Sequence, residues 1–400
     1  MKKLLSNTLF WLVLALALGI VLGTVVNEPA MGVILAVRQI TGQIIFFLVP
    51  LIIIGFIAPS IASISGNASK LLLFTFGLAY LSSEGAAFFA LGTSRLIIPS
   101  LNIGQAQAST PLPDMLFNLE IPPVMSVMSA LVLSIFLGLS VAWVRSEAWT
   151  RLLSDFKEMV LLLVKKVMIP VLPFYVATNF CALAYQGMLR QLLIFFLIIL
   201  FAVIGHFIWL TVLYLSASIY SGRNGWQVIR HYAPAYFTAL GTMSSAATLG
   251  VALECAHKSD VLDDDTIDFA LPLFNNIHLC GSVLTEVFLI SAVSIVLYGT
   301  LPTIGSMILF VLLLGIFAIG APGVPGGTVM ASLGLVISVI MVPDAAGNLQ
   351  HFTDAGTSLL ITIFALQDSF GTACNITGDG ALTLIVNTFK LKKTVTDSHR

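Results

Sequence analysis

The chain has 400 residues, of which 58% are hydrophobic and only 9% charged, against about 25% charged in a typical soluble domain. Apolar runs long enough to span a bilayer recur along it, so it reads as a polytopic membrane protein and not as a soluble globule. A net charge of −1 and the lack of any basic patch with interleaved aromatics give no nucleic-acid signal.

Lys2 and Lys3 stand before an apolar run that is too long for a signal-peptide core and is followed by no A-x-A-like site, which predicts a retained first helix. Spans are expected near Leu9 to Val26, Val33 to Ala62, Leu71 to Leu91, Val124 to Trp143, Met159 to Tyr185 and Leu189 to Tyr220. The connection from Pro99 to Pro123 has only Asp114 and Glu120 charged and reads as a solvated loop. With a cytoplasmic N-terminus, alternation places Lys70, the Arg145 to Lys157 connection, Arg223, Arg230, Lys258 and the tail residues Lys390, Lys392, Lys393 and Arg400 inside. Arg38, Arg95 and Arg190 fall outside, and the bias predicts a cell-membrane protein with both termini cytoplasmic. Glu147, Asp155 and Glu158 in the inside connection suit an interfacial turn. His206 reads as a helix-packing imidazole and Phe195, Phe196 and Phe201 as lipid- or helix-facing bulk. Cys181, Cys255, Cys280 and Cys374 show no paired spacing and read as buried thiols, not a disulfide frame or metal site.

After Gly222 the pattern changes. His231 to Ala256 holds two short apolar arms around a small, hydroxyl-rich tip that includes Ser244 and Ser245, and Leu301 to Val342 is interrupted by a Gly/Pro tip from Gly320 to Gly327. Each arm is short of the roughly 20 residues a spanning helix needs, so two re-entrant hairpins are expected, about 227–257 and 301–343. Between them, in the segment 264–297, Pro272, Asn275, Asn276 and Gly281 predict an unwound stretch whose carbonyls are available to a cation. Non-helical backbone at membrane depth must be buried in protein or line a wet cavity, so both tips require polar surroundings.

The last helix, about 350–389, supplies them. Asp368, Thr372, Asn375 and Asp379 are spaced i, i+4, i+7 and i+11, which at about 100° per residue forms one narrow stripe. Each carboxylate costs roughly 2.5 to 3.5 kcal/mol at a helix centre, so the stripe is expected to face something polar. Residues 391–400 read as a cytoplasmic tail.

From about Ser6 to Phe389 the chain resembles the sodium:dicarboxylate symporter family, which includes glutamate transporters and bacterial serine/threonine transporters. The resemblance is carried by Thr242 to Leu249 at the first tip, Phe274 to Ser282 at the unwound stretch, Gly320 to Gly327 at the second tip, and Asn375-Ile-Thr-Gly-Asp379. It implies an all-α, glutamate-transporter-like membrane protein with eight transmembrane helices and two re-entrant helical hairpins. A trimerisation scaffold and a mobile transport subdomain would assemble as a homotrimer and move substrate as an elevator. The resemblance further implies that Asp368 receives a substrate α-amino group and that Thr372, Asn375, Ser244, Ser245, Gly323 and Val324 surround the substrate. A sodium ion would lie on Asp379, with Asn375, Phe274, Asn276, His278 and Ala321 as further cation ligands; no cofactor is implied.

Two departures from the family pattern matter. Dicarboxylate carriers place an arginine in the last helix or first hairpin, where this chain has Ser369, Gly371 and Met243. A second substrate carboxylate would then be buried without a bidentate partner, which favours a small neutral amino acid and the serine/threonine branch. His278 and Cys280 replace an asparagine and an aspartate of the unwound segment, while Glu84 falls near the third-helix hydroxyls of that same ion site. Glu84 is therefore a candidate to restore the charge of that ion site from another helix, to form a proton-carrying pair with His278, or to pack against it only, and Glu286, at a usual glutamine, is a candidate for a second proton site or a structural acid.

A cation-coupled symporter explains the hairpins, the break and the stripe together. Proton coupling or a dicarboxylate substrate is the alternative within the family; a channel or non-transporting membrane protein is the alternative outside it. No Walker-type G-x-x-x-x-G-K-[ST] supports a pump. Asp368 and Asp379, about 16 Å apart by helical rise, cannot flank one bond as an acid pair, so the chain is not read as an enzyme.

Overall fold

The computed structural model describes residues 8–64, 70–101, 110–117, 119–187, 189–321, 326–344 and 346–398. The first apolar run folds as α1 (Thr8–Val25). Asn27 accepts the N–H of Ala30 at 3.1 Å, so α2 (Glu28–Ile64) begins after only two intervening residues. Next come α3 (Lys70–Ser100), α4 (Val127–Val144), α5 (Glu147–Leu163), α6 (Ile169–Tyr185) and α7 (Leu189–Ser221). The connection from Arg145 to Lys157 is not an interfacial turn. Ser146 caps α5 by accepting the N–H of Trp149, Glu147 occupies the first turn where the helix dipole favours an acid, and α5 continues into α6 through a π turn at Val164–Met168. Gly19 and Gly23, one turn apart on α1, lie against the backbone carbonyls of Ala177 and Cys181 on α6, a close approach that only small residues allow.

The expected hairpins are pairs of helices packed on each other. After the short α8 (Trp226–Ile229), α9 (Ala233–Thr242) meets α10 (Ser245–His257) across Met243, which is left-handed at φ 52°, and Ser244, which caps α10. α11 (Asp264–Ile277) and α12 (Cys280–Tyr298) are separated by His278 and Leu279 alone, so the unwound stretch is two residues long and Asn275 and Asn276 remain helical. α13 (Ile304–Ile319) packs on α14 (Gly327–Val339), with a left-handed Gly326 leading into α14; Gly323 and Val324 lie outside the described residues.

The fold is mostly helical, as expected, and between α14 and the last helix it adds a two-stranded ribbon, β1 (Met341–Pro343) with β2 (Leu349–His351), with Met341 opposite His351 and Pro343 opposite Leu349. Its turn is closed by Asp344, whose carboxylate accepts the N–H groups of Ala346 at 2.9 Å and Asn348 at 2.8 Å. The last helix, α15 (Asp354–Ser398), begins after this ribbon instead of near 350. It runs about 67 Å by rise, so residues 391–398, expected as a tail, continue the helix.

Among the described residues six helical segments are long and apolar enough to cross a membrane. The helices fall into two sets by contact. One comprises α1, α2, α4, α5 and α6; the other gathers α3, α7 and α9 to α14 around α15. The sets meet where α13 and α14 touch α2, where α14 touches α4, where α9 touches α1, and where α15 touches α1 and α6.

Close approach of α12 to α15 depends on Gly281, where an added methyl would sit 2.5 Å from the Cβ of Cys374 and 2.6 Å from the carbonyl oxygen of Gly371. Gly281→Ala is expected to destabilise the detergent-purified protein by about 1–3 kcal/mol. Gly250→Ala, with open space at the added methyl, is expected to leave the melting temperature unchanged or slightly raised. At the α10–α11 junction, His257 donates to Asp264 at 2.9 Å and Asp268 at 3.0 Å, and the Asp264 bond leads in holding its pKa above the usual 6.5. That stabilisation is complete below about pH 6.5 and is lost as pH rises through the elevated folded-state value. Amide exchange at residues 258–263 is expected to accelerate over this rise beyond the intrinsic pH dependence, and His257→Gln to abolish the excess.

Candidate functional site

Asp368, Thr372, Asn375 and Asp379 are all buried on α15, with Asp379 completely inaccessible. Three of them reach different partners on neighbouring elements. Asp368 Oδ2 accepts the N–H of Gly326, at the tip before α14, at 2.6 Å. Asn375 Oδ1 accepts the N–H groups of Gly281 at 2.7 Å and Ser282 at 3.3 Å, and its Nδ2 donates to Ser282 Oγ at 3.0 Å. Asp379 Oδ1 lies 2.8 Å from Nδ1 of His278. Thr372 instead donates to the carbonyl of Asp368 in its own helix, at 2.9 Å. Breaking α11 from α12 frees N–H groups at membrane depth, and the stripe and the adjacent α3 receive them: Leu279 N–H bonds to Ser83 Oγ at 3.3 Å. His206 on α7, which packs on both α12 and α15, holds the same break through Nε2, 3.0 Å from the Gly281 carbonyl and 2.8 Å from Thr285 Oγ1.

Glu84 and His278 are not a pair. The second ring nitrogen of His278, Nε2, meets Ser82 Oγ at 2.9 Å, whereas Glu84 Oε1 accepts the N–H of Gly315 in α13 at 2.9 Å. Two residues apart on α3, Ser82 and Glu84 face about 200° apart, so one helix cannot turn both toward His278. Glu286 accepts from Ser332 Oγ in α14. Thus Glu84, Glu286 and Asp368, from three different helices, hold the α13–α14 pair at its first arm, its second arm and its tip.

Asn276 also departs from expectation. It is exposed and donates to the Pro272 carbonyl at 2.7 Å, while its neighbour Asn275 is buried, so the cation ligand expected at 276 faces away. Phe274 is buried and its carbonyl closes the last turn of α11 on the N–H of His278 at 2.8 Å. Ala321 is buried beyond the end of α13. Ser244 caps α10 and Ser245 is buried; both α9 and α10 pack against α15. Residues that the sequence reading passed over are Ser82, Ser83, Ser282, Gly326 and Ser332. The adjacent hydroxyls of Ser82 and Ser83 beside Glu84 were the available signal for two of them.

The positions where an arginine would stand bear on the substrate. A methyl group added at Gly371 would lie 3.2 Å from Ser282 Cα, so α12 fills the space a long side chain would leave through. Ser369 is buried, and among the described residues no Lys, Arg or His forms an ion pair with Asp368.

Sequence comparison agrees with this architecture. The profile of the sodium:dicarboxylate symporter family matches residues 9–389. Excitatory amino acid transporter 3 of Homo sapiens is 31% identical over 172 residues, covering 43% of this chain and 30% of that protein. Excitatory amino acid transporter 2 of Homo sapiens is 25% identical over 275 residues, covering 66% and 44%. Serine/threonine transporter SstT of Acinetobacter baylyi is 29% identical over 153 residues, covering 38% and 35%. The matched stretch spans less than half the length of each of these relatives. Matched over nearly its full length, this helical, multi-pass chain belongs to the sodium:dicarboxylate symporter family.

Proposed function

We propose that the chain is a secondary active symporter that carries a small neutral amino acid into the cell together with a monovalent cation, sodium being the favoured ion. The observation that carries this reading is Asp368: a buried carboxylate on the last helix, with no basic side chain among the described residues in an ion pair with it, bonded to the N–H of Gly326 at the tip of a helix pair. A carboxylate so placed is suited to an α-ammonium group; Thr372 one turn on, and Ser244 and Ser245 at the tip of the α9–α10 pair that packs on α15, are proposed to supply small polar groups for the rest of an amino acid. The substrate is neutral because nothing at Met243, Ser369 or Gly371 can compensate a second carboxylate, whose unpaired burial costs several kcal/mol.

On this reading the α9–α10 and α13–α14 pairs are re-entrant hairpins and α1, α2, α3, α4, α5 with α6, α7, α11 with α12, and α15 are the eight spans. The set containing α1, α2, α4, α5 and α6 is the scaffold of a homotrimer and the set around α15 the moving element of an elevator, consistent with the division of contacts between them. Interrupted helices meeting near the midplane are the pattern of alternating-access carriers. Backbone oxygens of Phe274, Asn375 and Ala321 are proposed cation donors. The serine/threonine transporter among its relatives favours the neutral branch.

A thermal-shift panel of amino acids and C4-dicarboxylates in sodium, potassium or N-methylglucamine tests this. A ligand at 100 times its Kd is expected to stabilise the protein by about 2.7 kcal/mol. Small neutral amino acids in sodium are expected to raise the melting temperature and dicarboxylates are not; stabilisation by dicarboxylates alone would overturn the substrate class. Asp368→Asn is expected to leave the apo melting curve within a few degrees and to weaken amino-acid binding by about 2–5 kcal/mol, roughly 30-fold or more. Unchanged affinity in that variant would remove Asp368 from the site.

A further inference from the structure

The seam between the two sets of helices encloses space as well as contacts. On one side α1 packs on α6; on the other α7 packs on α15, and of this second pair it is α15 that packs against α1 and α6. Between the four helices lies an apolar cavity of about 430 Å³, walled from one set by Leu16 and Phe180 and from the other by Ile199, Leu366 and Phe370. Its volume falls in the range of small-ligand sites, roughly 300–1,000 Å³.

The walls decide what can fill it. Phe196 and Leu200, also in the lining, are 56% and 54% exposed on a stretch of α7 long and apolar enough to cross a bilayer, so the cavity opens sideways onto hydrocarbon. Among the described lining residues Gln367 alone is polar. Its Oε1 accepts from Thr285 Oγ1 at 3.2 Å, and its Nε2 is buried with no partner among the described residues. One leftover donor does not hold a water, which needs two to four polar partners, and an ion finds no counter-charge on these walls. A void kept empty beside fluid hydrocarbon would forfeit dispersion contacts along every wall. A hydrocarbon chain is the occupant that suits it.

We infer that the cavity binds one acyl chain of a membrane phospholipid, which enters from the bilayer past α7 and bridges the two sets. Because both sets supply walls, sliding one past the other dismantles the site, so a bound chain favours the arrangement seen here and opposes the movement. The cavity is also joined to the broken helix. Gln367 directly precedes Asp368, and Thr285, which donates to it, lies 2.8 Å from His206 Nε2, itself 3.0 Å from the Gly281 carbonyl. The restraint on transport rests on the proposed function, in which the two sets move. Binding of the chain does not.

Detergent-purified full-length protein, titrated with a phospholipid that carries a diazirine in mid-chain, illuminated and mapped by peptide mass spectrometry, tests the binding. Labelling of the peptides that contain Phe180 and Leu366 is expected to saturate, whereas labelling at Ile208, exposed on α7 outside the cavity, is expected to keep rising with added lipid. Ile199→Trp, which fills the cavity, is expected to cut the saturable labelling at least threefold, and Ile208→Trp to leave it unchanged. Val203→Trp fills the same cavity from the next turn of α7 should Ile199→Trp fail to fold, as judged by gel filtration and melting temperature. Labelling at Phe180 and Leu366 that does not saturate, or that persists in a folded filled variant, would overturn the site. In vesicles, the filled variant is expected to take up radioactive serine at least threefold more slowly than the parent; uptake at the parental rate would overturn the restraint. A parent that takes up no amino acid would strike the proposed function and leave the labelling result standing.

Discussion

A helix interrupted inside a membrane leaves backbone N–H groups with no water to receive them, at a cost of several kcal/mol for each one unpaired. This chain interrupts its helices at Met243–Ser244, at His278–Leu279 and between α13 and α14, and the rest of the fold answers those breaks. The N–H groups of Gly281 and Ser282 end on Asn375, that of Leu279 on Ser83, and that of Gly326 on Asp368. The dependence runs both ways. A stripe of two carboxylates and an amide on α15 would be untenable against lipid, and it is tolerated because the broken helices present donors to it.

The second consequence concerns the α13–α14 pair. Its apolar faces pack on neighbouring helices, and three acidic side chains fasten it, Glu84 at Gly315, Glu286 at Ser332 and Asp368 at Gly326, alongside Tyr80, whose hydroxyl donates to the Leu312 carbonyl at 3.2 Å. Polar contacts of this kind can be exchanged one at a time, whereas interdigitated apolar packing has to separate as a whole. On the proposed reading, Asp368 serves both the tip and the substrate ammonium group, so occupancy of the site and closure of the pair share one carboxylate. Glu84 and Glu286 then hold the arms while the tip responds.

At the α11–α12 break one side chain ties three helices together. The imidazole of His278 spans from Asp379 on α15 to Ser82 on α3 and bonds at both ends. Cys280, two residues on, lies buried as a free cysteine among helices.

How much of this was legible beforehand depended on whether a property lies along the chain or across it. The membrane setting, the polar stripe at 368, 372, 375 and 379, and the breaks near 243, 278 and 320–327 follow from composition, from helical period and from Gly, Pro and Ser placement. These are local, and the sequence by itself determined them. Which partner each polar group takes was decided by tertiary structure. Glu84 and Ser82 could each have faced His278, and Asn275 or Asn276 could each have been the buried amide. Neighbours one or two positions apart point about 100° or 200° from each other, and only the rotation of a helix against its packed neighbours selects among them. The ribbon at 341–351 and the late start of α15 escaped the reading for a related reason: three-residue strands carry too little period to register, and exist because Asp344 closes their turn.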